Sequence, residues 1–399
     1  MKKFPFGKAV LASITYLALT HVAHAACTVT LNPGANVATA AANAAAGSTI
    51  CLNPGSYGTQ QFTNVTNSGD VIIQSTTGQG ASAYLSFWAS NHLHFQNMTI
   101  AGADVEDNST YLTFSNSVFT NQAVVKSTAS GSTHITFTRN TFDGISVCTN
   151  CYEGRLQLGS GSGVVVSYNH FGGGGDSDGI QVNADGATIG PGNVFSGLVQ
   201  GSNPRHIDSI QGVGGGNMTI TGNFFSNDSM FLGFYDGASN LTITNNTFLA
   251  TDDGNPQPIQ LGSVVGLVFQ HNTVRGNYAV AQGSKAGNPS NANASYTNNV
   301  FDGTYILDTA GTGGTPGCVS NCTYTANLFT SSGNARGTSN LIGPVTYVGG
   351  PTSTSWTGVA LAPTSLGYHA AAGGYDMGTD YYGTSAVITV PVPTGLTAK

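Results

Sequence analysis

The sequence predicts an all-β solenoid of about ten short coils. Three observations carry that expectation. First, a unit of the form apolar-Thr-apolar-x-x-Asn-x-Phe recurs, and the apolar positions that close it (100, 119, 142, 171, 195, 225, 248, 274, 301 and 329) fall 19 to 30 residues apart. Second, apolar and polar residues alternate in short runs bounded by Gly, Asn and Ser, which is a strand signal, and no long stretch carries helical apolar spacing. Third, only 7% of residues are charged while 55 are Gly. That composition suits either disorder or repetitive β structure, and the regular Ile, Val and Phe positions decide for the second.

Taken in order, residues 1–25 read as a secretory signal. Lys2, Lys3 and Lys8 precede an apolar run over 9–19, and Ala23-His24-Ala25 follows as a cleavage site. The mature chain is expected to start at Ala26 and to be secreted, extracellular or periplasmic. No later stretch reaches the ~18 apolar residues of a membrane span, so no membrane insertion is expected. Removing those three lysines from the 11 basic residues leaves 8 against 18 acidic ones, widely separated, which argues against nucleic acid. A monomer is expected.

Six cysteines form three sequence-local pairs: Cys27 with Cys51, Cys148 with Cys151, and Cys318 with Cys322. In an oxidising compartment, local disulfides are the default. Cys148-x-x-Cys151 also fits a redox pair or half of a zinc site, but no second such pair supports zinc. Residues 38–46 are a candidate helical cap for the first coil.

Clear copies of the unit occupy 134–142, 164–171, 218–225, 241–248, 267–274 and 294–301. In each, an Asn stands between two strand-like pieces, where it would turn left-handed and bond the Asn of the next coil. Asn140, Asn169, Asn193, Asn223, Asn246, Asn272, Asn299 and Asn327 are the expected rungs, read as structure.

On these units the chain resembles the right-handed, single-stranded parallel β-helix of the pectate-lyase-like superfamily. Gly47-Ser48-Thr49-Ile50 and then Leu52-Asn53-Pro54-Gly55-Ser56-Tyr57 resemble its first coil, and the resemblance extends to Phe329. It implies one β-helix over 26–330. After Phe329 the rhythm fades into an irregular segment, 331–388. There 376–383 (Asp-Met-Gly-Thr-Asp-Tyr-Tyr-Gly) resembles the stretch that closes secreted β-helices, and 389–399 reads as a Pro-containing linker or tail. The N-terminal cap and the segment after Phe329 are candidates to cover the open sheet edges at the ends.

A second column lies in the other half of each coil. Gln157, Gln181, Gln211, Gln260 and Gln282 each stand between small or apolar neighbours, with Gly233 as the vacant rung. Alternation would point these amides outward as a polar stripe. Such a stripe either solvates the surface or binds the hydroxyls and carboxylates of a glycan. Arg155, two residues before Gln157, would share that face and bind a carboxylate.

The stretch 176–211 adds charge to the stripe. Asp176-Ser-Asp178-Gly-Ile-Gln181 and His206-Ile-Asp208-Ser-Ile-Gln211 are near-copies 30 residues apart. On adjacent coils Asp178 and Asp208 would be close, and must share a proton, hold a cation or meet a basic group. Ca²⁺ held by Asp176, Asp178 and Asp208 is one resolution, and Arg205 with His206 is another. Asp residues that merely cap Gly-rich turns are the structural alternative. Lys285 and Tyr235, at the edge of the same column, complete the candidates.

Secretion and a polar face point to an acidic polysaccharide as partner. The resemblance offers lyases, hydrolases, esterases and epimerases, and fold does not choose among them. The Gly-His-Gly and Arg-x-Lys motifs of polygalacturonase-type hydrolases are absent. The leading expectation is a lyase cleaving a uronic-acid-containing chain by β-elimination. His206, Arg205 or Lys285 would take the proton, Tyr235 would return one, and the Gln residues, Arg155 or Ca²⁺ would neutralise the carboxylate. The alternatives are a glycan-binding scaffold without activity, a hydrolase built on Asp178 and Asp208, and a C5-epimerase.

Overall fold

The computed structural model describes residues 26–126, 131–147, 152–199, 207–250, 257–308 and 314–379. Strands pair in parallel with their counterparts on neighbouring coils, so two sheets run the length of a solenoid and a third joins them over its later coils. The first sheet extends from Val29–Leu31 to Cys318–Ser320 and the second from Gly55–Thr63 to Tyr305–Asp308. The third is made of strands of two or three residues, from His170–Gly172 to Leu341–Ile342. Among the described residues eleven strands succeed one another in the second sheet, which gives about eleven coils.

The repeating unit explains why the coils stack in register. Asn223 is buried at the corner between Thr219–Thr221 and Phe224–Ser226. Its Nδ2 donates to the Ile189 carbonyl at 2.9 Å and to Asn246 Oδ1 at 3.0 Å, and its Oδ1 accepts from Asn193 Nδ2 at 2.9 Å. The same ladder links every expected rung from Asn140 to Asn327. Backbone groups that a buried turn would leave without partners are thereby satisfied.

The left-handed residue, however, is the one before each rung. Arg139, Tyr168, Gly192, Gly222, Asn245, His271, Asn298 and Ala326 have φ between 52° and 81°. Turning at that position leaves the following Asn free to aim its amide inward.

One residue beyond the rung and its neighbour, the closing aromatic points into the core. Phe119, Phe142, Phe171, Phe195, Phe225 and Phe248 form a continuous stack, with centroids 4.3 to 4.9 Å apart. Val274 interrupts it, and Phe301 and Phe329 resume at 4.9 Å.

The two ends are treated differently. A helix, Val37–Ala42, lays Val37, Ala38 and Ala41 on the first coil, with the Asn36 side chain accepting from the Thr39 N–H. Cys27–Cys51 fastens the adjoining edge strand, and Cys318–Cys322 clips the far end. Cys148 and Cys151 lie outside the described residues, as do residues 1–25, read from the sequence as a secretory signal, and residues 380–399.

At the C-terminal end the core turns polar. Gln282 and Asp308 continue the inward column of Phe234 and Leu261, and Arg336 meets Asp308 at 2.7 Å while lying over Tyr324. Beyond Leu341–Ile342 the chain does not cover that end. It doubles back along the outside of the third sheet, where Phe224, Leu249, Val300 and Leu328 pack against Tyr347, Val359, Leu361 and Met377 as a second core.

Candidate functional site

The outer face of the second sheet carries the candidate site. Gln157, Gln181, Gln211, Gly233 and Gln260 are register partners on successive coils. Gln181 Nε2 donates to Gln211 Oε1, so neighbouring amides already bond along the column. The stripe is a recessed floor, since Gln157, Gln181 and Gln211 are 3%, 8% and 6% exposed and only Gln260 is partly open.

Two expected members of that stripe face the other way. Ala281 is the partner of Gln260, which turns Gln282 into the core. There it donates to Tyr324 Oη at 2.7 Å and to Asp308 at 2.8 Å, and accepts from Tyr296 Oη at 3.2 Å. Arg155 is 1% exposed and donates to the backbone carbonyls of Phe142, Gly172 and Gly174. Its place on the coil is where Phe231 is buried and where a Cβ on Gly179 would stand 3.1 Å from the Phe195 ring. The strand bends there, so positions 155 and 156 both face inward and alternation fails. Burial lowers the Arg155 pKa to about 10, against the pull of Asp143, Asp228 and Asp178. This guanidinium braces the corner and is turned away from any ligand on the outer face.

The carboxylates do gather. Asp178 and Asp208 are one coil apart and buried, and Asp178 Oδ1 accepts the Asp208 N–H at 2.8 Å. Asp228, also buried, accepts from the Leu198 N–H and from Ser209 Oγ, both at 2.8 Å, and so staples the loop before the site. Asp176 is only partly buried. Among the described residues no group of three or more His, Cys, Asp or Glu side chains is arranged to hold a metal ion. Asp176, Asp178 and Asp208 are not arranged as such a group.

Gly233 is the centre of the arrangement. A Cβ at this position would collide with the Asp208 carboxylate and stand 2.7 Å from Tyr235 Cε2. The acid and the phenol thus occupy the place where the stripe would carry its next amide. Burial, and then the charges of Asp208 and Asp178, push the Tyr235 hydroxyl far above its ordinary pKa. It remains a proton donor at any physiological pH.

Lys285 is brought to the rim, where its Nζ meets Asp236 at 2.7 Å with both side chains about half exposed. The sequence places Asp236 with Tyr235 just after the vacant rung but gives it no role. Ser209 is not marked by the sequence at all, since nothing in its context distinguishes it from other strand serines. Arg205 and His206 lie outside the described residues.

A family model described as the right handed beta helix region matches residues 158–342. No curated protein matches. Among solved structures, a mannuronic acid specific polysaccharide family 6 lyase from human gut microbiota is 12% identical over 79% of this chain and 82% of its own, with a TM-score of 0.48. A PL6 family polysaccharide lyase from Pseudopedobacter saltans is 13% identical, covering 88% and 99%, at 0.47. A pectate lyase is 15% identical, covering 89% and 96%, at 0.38. With its parallel coils, Asn ladder and matching family model, the chain folds as a right-handed parallel β-helix.

Proposed function

We propose that this chain is a secreted polysaccharide lyase that cleaves an acidic, uronic-acid-containing polysaccharide by β-elimination. One observation carries the reading: the gap at Gly233, filled from its two sides by the Asp208 carboxylate and the protonated Tyr235. Elimination needs a base for the C5 proton, a proton donor for the departing oxygen and donors that neutralise the carboxylate; Tyr235 supports the second role and the Gln column next to it the third.

In this scheme Gln181 and Gln211 donate to the uronate carboxylate. His206, two residues before Asp208, removes the C5 proton. The electrons of that C–H bond form the C4=C5 double bond, the C4–O bond breaks, and Tyr235 protonates the departing oxygen. Lys285, held by Asp236, guards the rim and attracts the polyanion. The same abstraction followed by reprotonation on the opposite face would make an epimerase, and product analysis separates the two. Asp178 is committed to the Asp208 backbone, which disfavours a hydrolase with two facing carboxyl groups.

The test is absorbance near ~235 nm, where the unsaturated product of elimination absorbs. Mature protein would be incubated with polygalacturonate, polymannuronate and polyguluronate, with and without Ca²⁺ and chelator. A rise is expected, reduced about 10²-fold or more in Tyr235→Phe, Asp208→Ala and His206→Ala. Arg155→Lys, altered beneath the floor, should not act by weakening carboxylate binding. A second reading, a glycan-binding scaffold, is favoured by the near-complete burial of Asp178, Asp208 and the Gln column. Saturable binding of one of the polymers, with no absorbance rise and no new reducing ends on any of them, would favour it over the lyase.

A further inference from the structure

The face that carries Gly233 does not end at Gln157. Toward the N-terminus the same outward column continues through Val124 and Asp104 to Ser86. A parallel column two residues further along each strand contains Trp88, Glu106, Lys126, Gly159, Asn183, Val213 and then Tyr235. Backbone bonds from Glu106 to Phe87, Lys126 to Val105, Gly159 to Val125, Asn183 to Leu158 and Val213 to Val182 keep it in step. Trp88 and Tyr235 therefore stand on one face, six coils and roughly 29 Å apart at ~4.8 Å per coil.

The N-terminal end of this face is built for contact. Trp88 is 45% exposed, the outward residue at the end of the strand Ala81–Trp88. Four residues earlier on the same strand, the Tyr84 ring lies over Gly102, whose Cβ would come too close to Tyr84 Cε2. The Tyr84 hydroxyl bonds Asp104, and burial with the charges of Asp104 and Glu106 pushes its pKa up to about 12. Lys126 Nζ bridges Glu106 at 2.5 Å and Asp104 at 3.6 Å. An exposed indole takes the C–H face of a pyranose ring, and carboxylates held in place by a lysine accept hydroxyl hydrogen bonds. With two acids and one base, the cluster suits sugar hydroxyls better than sugar carboxylates.

We propose that Trp88, with Tyr84, Asp104, Glu106 and Lys126, forms a distal subsite that holds a pyranose chain already engaged at Gly233. This rests on the lyase reading for its substrate, but the subsite can be read independently of cleavage. The chain has two tryptophans, Trp88 and Trp356, and Trp356 packs on Phe224 in the second core. Trp356→Phe keeps an aromatic ring there and leaves Trp88 as sole reporter.

Titrating that variant with the three polyuronates is expected to change Trp88 emission saturably with at least one of them. On the polymer that is cleaved, Trp88→Ala should raise KM about tenfold with kcat unchanged. On trisaccharides, too short to bridge the two places, kcat/KM should stay as in the parent. No emission change with any polymer, or an unaltered KM in Trp88→Ala, overturns the subsite. If no polymer is cleaved, the lyase reading falls while the emission titration still decides this one.

Discussion

A Cβ at Gly233 would meet the Asp208 carboxylate and the Tyr235 ring, yet its backbone is not in the left-handed region, so an alanine would be conformationally acceptable and sterically excluded. The glycine is there for space. Gly233→Ala should therefore displace the acid and the phenol without unfolding the coil. The expected result is a fall in kcat of about 10²-fold, with KM and the thermal midpoint little changed. Parent-like kcat would show that Asp208 and Tyr235 need no such closeness. The vacant rung was legible in the sequence, because every neighbouring coil placed Gln there. Its chemical meaning was not, since which side chains lean over it depends on where the strand bends. Arg155 and Gln282 are where strand alternation breaks down. Alternation placed both outward, but the corner at 154–156 turns Arg155 inward, and a one-residue offset in Ala279–Gly283 does the same to Gln282. A single-residue change of register reverses a side chain's face, and nothing in the local sequence marks the offset.

At the scale of the coil, the stabilising element is the corner where Asn bonds Asn. Replacing Asn223 by Ala would strip partners from the Ile189 carbonyl, from Asn193 Nδ2 and from the ladder to Asn246, all buried. The expected cost is about 2–4 kcal/mol, read as a shift in the denaturant midpoint. Asn32 is the internal control. Its Oδ1 also accepts from the next coil's Asn53, at 2.8 Å, but on an exposed corner and without a left-handed backbone, so Asn32→Ala should change stability by about 0.5 kcal/mol or less. Equal costs at the two sites would mean that burial of the ladder is not what matters. Rungs and closing aromatics were both legible because one residue type repeats at one place in each coil. The left-handed position was not, because Arg139, Tyr168, Gly192 and Ala326 share no side-chain chemistry. They share only a backbone turn imposed by the Asn that follows.

Across the whole molecule, a solenoid is held by nearest-neighbour contacts, so each coil answers only to the two beside it. The C-terminal segment breaks that rule by lying across several coils at once. Trp356 stacks on Phe224 at 5.6 Å, Arg275 donates to the Ser353 carbonyl, and Tyr347 Oη donates to Asp302 at 2.9 Å beneath the Arg275 guanidinium. Thr379 reaches Asn246 and Thr273. Its apolar residues, Val345, Tyr347, Trp356, Val359, Leu361 and Met377, keep no period, so their common destination was hidden until the outward positions of the third sheet were known to be Phe224, Leu249, Val300 and Leu328. The two cores share no inward residue, and that separation predicts separable stability. Tyr347→Ala should speed amide exchange over 344–379 by about 10-fold or more while the Asn-ladder coils up to 330 stay protected. If the coils lose protection together with the segment, it is an integral part of one cooperative unit. If neither changes, the lateral core is held without Tyr347, and the Phe224–Trp356 contact becomes its anchor.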